Sequence, residues 1–284
     1  MLTPHKKLEF FSHGKEYQLP SPCVMGIVNA TPDSFYSNSR IADKNSLEQL
    51  DHWISLGCDI LDIGGQSTRP GAQKISAEEE WQRIEKILIH VRTHYPNQII
   101  SIDTFYGSVA DQAMSLGAHI INDISGFSLD PAMHKVIQKW KVPYILMHMQ
   151  GEPQTMQQQP HYEDIIQEIL SFYQEKIKQL PLEHQIWIDP GFGFGKTLPH
   201  NLQLLRQLGD LTSLNRPILV GLSRKKTIQQ ITERDSDHCL AGTIAAQTIA
   251  LMNGADIIRV HDIEEGIQIK KIMTAYQNFP SSHH

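Results

Sequence analysis

The chain has 284 residues, with 25 lysines and arginines against 31 aspartates and glutamates, for a formal net charge of −6. A mildly acidic chain has no bulk field to hold nucleic acid or an anionic membrane, so any phosphate it binds must be met by local groups. Three scattered cysteines (Cys23, Cys58, Cys239) without CxxC spacing suit reduced thiols in a cytoplasmic protein, and no apolar run approaches the length of a membrane span.

Residues 1–22 read as a short cap or hairpin closed by Pro20-Ser21-Pro22, and Met1 to His13 has no signal-like apolar stretch. Cys23–Val28 is a continuous apolar strand of the kind buried on both faces. Residues 29–45 lack an apolar period and form a long loop, followed by a helix from Ser46 through Leu56 that Gly57 stops. Asp59–Ile63 is the second strand, and a second long loop runs from Gly64 to Ala72. Ser76 to Glu79 is a capping box for a helix bearing Trp81, Ile84, Ile87, Leu88 and Val91. Further strands are expected at Ile99–Ile102, Ile120–Ile121, Tyr144–Met147, Ile186–Ile188, Ile218–Val220 and Ile257–Val260, with helices at 107–116 and 162–179.

These apolar runs end in polar residues that could hold a ligand: Asn29, Asp62, Asp103, Asn122, Met147-His148, Asp189, Gly221 to Lys225, and Arg259 to His261. Eight such ends, most separated by a helix-like stretch, have the rhythm of repeated βα units. They predict a single-domain α/β protein, a (β/α)8 TIM barrel over 23–280 behind the N-terminal cap. Active sites of such barrels lie at the C-terminal ends of the strands.

Asp103, Asn122 and Asp189 would then share one pocket. Two carboxylates and a carboxamide suit a flat ligand with several N–H donors, because a carboxylate accepts two parallel bonds from a guanidine-like edge. The alternative is that Asp103 and Asn122 merely cap the following helices. Lys225 and Arg259 bring positive charge where barrels commonly receive phosphate. His261 adds a donor, and Asn29 offers a neutral oxygen for Mg²⁺ or a donor for phosphate. Met147 reads as barrel lining able to lie against a flat ring. Gly191-Phe-Gly-Phe-Gly195 lacks dinucleotide-loop spacing; it reads as a flexible turn that lets Phe194 pack on a ligand and puts Lys196 nearby, with core packing the alternative for Phe192 and Phe194. The fifteen histidines form no Cys/His cluster, so no transition-metal site is expected.

Taken together, Met25-Gly-Ile-Val-Asn-Ala-Thr-Pro-Asp-Ser-Phe35, Asp62-Ile-Gly-Gly-Gln-Ser-Thr-Arg-Pro-Gly71, Ser101-Ile-Asp-Thr104, Ile121-Asn-Asp-Ile-Ser-Gly126, Met147-His-Met149, Asp189-Pro-Gly-Phe-Gly-Phe-Gly-Lys196, Gly221-Leu-Ser-Arg-Lys225 and Arg259-Val-His261 resemble the dihydropteroate synthase family. The resemblance runs from about Cys23 to Asp262 and touches every strand end in order. It implies a transferase of folate biosynthesis, the target of sulfonamides, which joins 6-hydroxymethyl-7,8-dihydropterin pyrophosphate to p-aminobenzoate and releases pyrophosphate. It further implies a pterin site of Asp103, Asn122, Met147, Asp189, Phe194, Lys225 and Arg259, and a pyrophosphate site of Asn29, Arg69, Arg259 and His261. A p-aminobenzoate site would comprise Phe35, Thr68, Pro70 and Ser223, with Mg²⁺ on Asn29. Asp33, Arg69 and Lys225 would serve the chemistry, Asp33 by swinging over the reacting carbon. The family is usually dimeric through its late helices, and residues 242–252 are apolar enough to permit a homodimer.

Three positions depart from the family's pattern: Gln66 stands where Glu is usual, Ala30 where Val is, and Lys226 where Ser is. Gln66 keeps size and acceptor capacity but removes a charge, which bears on pairing in the second loop. A corrinoid-linked methyltetrahydrofolate methyltransferase would share the barrel, but that family lacks the Asn29-to-Phe35 and Ser67-to-Gly71 loops. A non-catalytic pterin-binding paralogue would be marked by damaged loops, whereas Asp33, Arg69, Lys225 and His261 are all present.

Overall fold

The computed structural model describes residues 7–30, 44–67, 73–151, 155–181 and 183–279. A hairpin comes first, β1 (Lys7–Ser12) pairing antiparallel with β2 (Lys15–Pro20). Eight parallel strands follow, β3 (Cys23–Asn29), β4 (Ile60–Gly64), β5 (Ile99–Asp103), β6 (Ile120–Asp123), β7 (Tyr144–Met147), β8 (Ile186–Asp189), β9 (Leu219–Val220) and β10 (Ile257–Val260). Each pairs with the next, and β10 pairs back onto β3. Between β8 and β9 the ring closes through a single parallel bridge, Ile188 to Ile218. The architecture is the expected barrel.

Helices α1 (Lys44–Ser55), α2 (Ala77–His94), α3 (Gly107–Ser115), α4 (Met133–Trp140), α5 (Ile165–Lys178), α6 (Leu198–Arg206), α7 (Lys226–Thr232), α8 (Leu240–Met252) and α9 (Ile263–Asn278) surround it. Their starts follow local chemistry. The Ser76 side chain accepts from the Glu79 amide, Asp164 accepts from Ile166 and Gln167, and Thr197 and His200 form a capping box. Sequence reasoning missed α4, which is short and begins at Ala132 without a side-chain cap.

The strand pleat has a period of two, so alternate residues face the barrel interior and the helices. Val24, Leu61, Ile63, Ile100, Ile102, Ile121, Leu146, Ile188 and Ile258 pack outward against the helices in one large core. The opposite parity starts at the barrel floor with Met25, Ile60, Ile99, Ile120, Ile145, Trp187, Leu219 and Ile257. Leu8, Phe10 and Leu19 of the hairpin join this floor from below. Two residues further along six of these strands, the same inward parity reaches Asp62, Ser101, Asn122, Met147, Asp189 and Arg259. Apolar packing at the bottom thus carries a polar layer toward the C-terminal mouth.

Phe10 is the hairpin's anchor: 1 % exposed, its ring stacks on Tyr17 at 5.3 Å and meets Trp187 edge-on at 5.6 Å. Phe10→Ala should therefore cost about 3–5 kcal/mol of stability, as expected for a buried aromatic truncated in a packed core. Denaturant unfolding with an unchanged m-value is the check.

Candidate active site

The polar layer is organised around Arg259 on β10. Its Nε donates to Asp62 Oδ2 on β4 at 2.6 Å, and its Nη2 donates to Asp103 Oδ2 at the end of β5, also at 2.6 Å. Asn122 on β6 donates from Nδ2 to the same Asp62 oxygen at 3.0 Å. Four side chains from four strands are thereby joined. Neither Asp103 nor Asn122 caps a helix: α3 begins at Tyr106 without a side-chain cap, and Asp130 receives the Gly107 amide instead. Asp62 has no exposed surface, and sequence reasoning gave it no role in the site beyond marking a strand end. Its signal was parity, since it stands one inward step above Ile60.

Burial pushes the Asp103 carboxyl upward, and the Arg259 guanidinium opposes it. Burial also pushes Asp189 upward, opposed chiefly by Lys225 and by the Gly191 N–H, which donates to Asp189 Oδ1 at 2.8 Å. Lys225 is pushed down to about 8 by burial, with Asp189 opposing. Its ammonium lies 4.2 Å from the centroid of the Phe194 ring and donates to the Phe192 carbonyl. Phe194 is half-buried and packs against the cluster of Phe105, Ile124 and Met147, while Phe192 is a core residue at 1 % exposure.

The loop from Gly191 to Gly195 differs from the expected flexible turn. Lys196 is 3 % exposed, and its Nζ donates to the Gly191 carbonyl at 3.0 Å, the Phe194 carbonyl at 3.1 Å and His148 Nδ1 at 3.0 Å. Lys196 is therefore a staple inside the loop rather than a group presented to a ligand. Gly191 at φ +69° is required there, because a Cβ would lie 2.0 Å from the His148 carbonyl oxygen.

Ser223 and His261 meet across β9 and β10: the Ser223 hydroxyl lies 3.1 Å from His261 Nδ1 and accepts from the His261 amide at 3.2 Å. Between Ser223 and Lys225, Arg224 adopts φ +55° and turns outward to a bidentate pair with Asp262, with Nη2 to Oδ1 at 2.6 Å. Arg224 is thus engaged with protein. Asn29 ends β3, half-buried, and the Ala30 amide donates to the Gly64 carbonyl. At the base of the second loop, Gln66 Oε1 accepts from the Ile75 amide at 2.8 Å, so the neutral side chain still supplies an acceptor there. Asp33, Phe35, Thr68, Arg69 and Pro70 lie outside the described residues. The three thiols are free and buried.

Carboxylates, a carboxamide and cations gathered at the C-terminal mouth of a closed parallel barrel, beside Met147 and Phe194, mark an enzyme that takes a flat, nitrogen-rich ligand. Comparison with known proteins sharpens that class. Residues 25–261 match the family described as pterin binding enzyme. The chain is 39 % identical over 276 residues to the dihydropteroate synthase of Escherichia coli K12, covering 94 % of this chain and 96 % of that one. It superposes with a TM-score of 0.87 on a Yersinia pestis dihydropteroate synthase in complex with a sulfonamide drug, at 36 % identity, covering 95 % of this chain and 99 % of that one. A Xanthomonas albilineans dihydropteroate synthase with 4-aminobenzoic acid matches equally well, with a TM-score of 0.87 at 35 % identity, covering 97 % and 100 %. This chain belongs to the dihydropteroate synthase family of pterin-binding enzymes.

The ion cluster generates a prediction. Arg259→Met should leave Asp62 and Asp103 without their cation and cost about 2–4 kcal/mol at pH 8, allowing for the partly open guanidinium. Burial already holds the folded-state Asp103 carboxyl above its unfolded value, at about 7, and losing Arg259 raises it further, so the added penalty grows as pH rises through about 7. Urea unfolding should show a larger loss at pH 8 than at pH 5.

Proposed function

We propose that this chain condenses 6-hydroxymethyl-7,8-dihydropterin pyrophosphate with p-aminobenzoate to 7,8-dihydropteroate and pyrophosphate. The observation that carries the reading is the inward polar layer at the barrel mouth, on a chain whose family is shown along nearly its whole length. Asp103, Asn122 and Asp189 receive the donor-rich edge of the pterin, and Met147, Phe194 and the Lys225 stem line its ring faces. Ser223, with Phe35, Thr68 and Pro70, shapes the p-aminobenzoate subsite. Arg259, His261, Arg69 and Asn29 meet the pyrophosphate.

The chemistry breaks the C–O bond first, and its electron pair leaves with pyrophosphate. The electron-rich dihydropterin spreads the resulting positive charge, and Asp33 with the pterin-facing carboxylates stabilises it. The aniline nitrogen then forms the C–N bond with its lone pair and gives up a proton. Positioning and exclusion of water supply the remaining assistance, and no covalent nucleophile takes part.

Magnesium fits the donor set. A hard cation commonly keeps several waters and substrate phosphates and takes one or two protein oxygens, which the Asn29 carboxamide can provide. Among the described residues no group of three or more His, Cys, Asp or Glu side chains could hold a metal ion. When bound, it would supply positive charge to the departing pyrophosphate.

Exposed Ile249 and Met252 on α8, with Ile272 and Tyr276 on α9 and the adjoining Phe279, support a homodimer through these late helices. Free buried thiols support a cytoplasmic setting, and no helix among the described residues is long and apolar enough to cross a membrane.

Asp103→Ala and Asp189→Ala should each lose pterin binding, whereas Asp33→Ala should bind pterin normally and lose turnover by about 10²-fold or more. Fluorescence titration with 6-hydroxymethylpterin, paired with steady-state pyrophosphate release, separates the two classes. Normal turnover by Asp33→Ala would refute its role at the cation. Chelation of Mg²⁺ should suppress pyrophosphate release, and added Mg²⁺ should restore it.

A further inference from the structure

Lys196 is a buried charge to which the reaction outlined above assigns no part. We propose that Lys196 is a positioning residue for pterin recognition: from behind the site it fixes the Gly191–Gly195 loop and supplies the positive charge that keeps Asp189 an acceptor. The proposal rests on the reading of Asp189 as a pterin ligand.

The geometry surrounds Nζ with acceptors. Gly191 O lies at 3.0 Å, Phe194 O at 3.1 Å, His148 Nδ1 at 3.0 Å and His148 O at 3.4 Å. An ammonium has three protons to donate, so this shell suits the charged form. It also places the His148 ring proton on Nε2, leaving Nδ1 to accept. Burial lowers the pKa of Lys196 to about 7, and Asp189 counters that. Burial pushes His148 down as well, so its imidazole stays neutral beside the ammonium.

Two lysines hold the loop by different carbonyls. Lys196 grips the Gly191 and Phe194 carbonyls, while Lys225 takes the Phe192 carbonyl and covers the Phe194 ring. Gly191 in turn presents its amide to Asp189 Oδ1. The path from Lys196 to the Asp189 carboxylate therefore has one residue in it. Further bonds pin the loop: Tyr162 donates to Gly195 O, Asn201 accepts from the Gly193 amide, and Asn201 donates to Lys196 O. Asp189 itself faces Lys225, Arg259 and Lys196 as cations and Asp103 as a like charge, and Tyr173 donates to its backbone carbonyl. Removing one of three cations raises the Asp189 pKa, so the acid limb of pterin binding moves to higher pH.

The test uses Lys196→Gln, which keeps donors for the carbonyls and removes the charge, together with Lys196→Met, which removes both. Binding of 6-hydroxymethylpterin is followed by fluorescence from pH 5 to 9. Lys196→Gln is expected to weaken binding about tenfold at neutral pH and to raise the acid limb by about one pH unit. Lys196→Met should do the same and also lower kcat, because the Phe194–Lys225 contact loosens. The Lys196→Gln loss should shrink in an Asp189→Asn background, since the two groups act together. A folded Lys196→Gln protein with unshifted pH dependence and full affinity would overturn the proposal. If Asp189→Asn alone leaves binding intact, the reading of the pterin site fails instead. Should both Lys196 variants fail to fold, lysine-selective NMR of the wild-type protein decides: an exchange-protected Lys196 ammonium at pH 6 with pterin bound supports the proposal, and a neutral amine there contradicts it.

Discussion

The Arg259 guanidinium, held between Asp62 and Asp103, is the contact on which the mouth of this barrel depends. It ties β10 to β4 and β5 across the interior, and through Asn122 it reaches β6. Charges taken out of water must find partners, and one cation shared by two carboxylates meets that need with well-directed bonds. Around it the site is close to balanced, with Asp62, Asp103 and Asp189 facing Arg259, Lys225 and Lys196. Those cations oppose the upward push that burial exerts on the Asp103 and Asp189 carboxyls.

The strand pleat explains why the network could be built at all. Isoleucines on the inward parity fill the barrel floor against the hairpin, so polar residues are admitted only one step higher, where the barrel opens. Outward residues on the same strands continue as one hydrophobic core with the helices. The floor sets the strand positions, and the strands set the separations among Asp62, Asp103, Asn122, Asp189 and Arg259. A ligand with a flat, donor-rich edge then meets acceptors whose desolvation is already largely complete.

Much of this was legible in the chain itself. A strand buried on both faces reads as an apolar run, and its first polar residue is a natural candidate for the mouth, which is how Asp103, Asn122, Asp189 and Arg259 stood out. The pairing of those residues was not legible. Asp62 interrupts its own apolar run, and only the alternation starting from Ile60 shows that it faces inward. The eight-residue α4 carries an apolar face, and its N-cap residue Ala132 offers no capping side chain; its start signal lies one turn earlier, in Asp130-Pro131, where the Asp130 carboxylate accepts from the Ala132 amide. The Gly191–Gly195 loop reads as mobile because glycines permit many conformations. What holds it is a lysine donating to backbone carbonyls, a tertiary contact without a local signature. The second-loop glutamine has the same character: its acceptor role at Ile75 becomes visible only once the two ends of the loop meet.

The central claim is that this barrel mouth makes a carbon–nitrogen bond rather than merely holding a pterin. The most direct measurement incubates the purified protein with 6-hydroxymethyl-7,8-dihydropterin pyrophosphate, p-aminobenzoate and Mg²⁺, and quantifies pyrophosphate and 7,8-dihydropteroate together. Equimolar formation of both, dependent on p-aminobenzoate and repeated over many turnovers, is the predicted result. Tight pterin binding with no dihydropteroate formed would contradict the account and leave a pterin-binding protein without synthase activity.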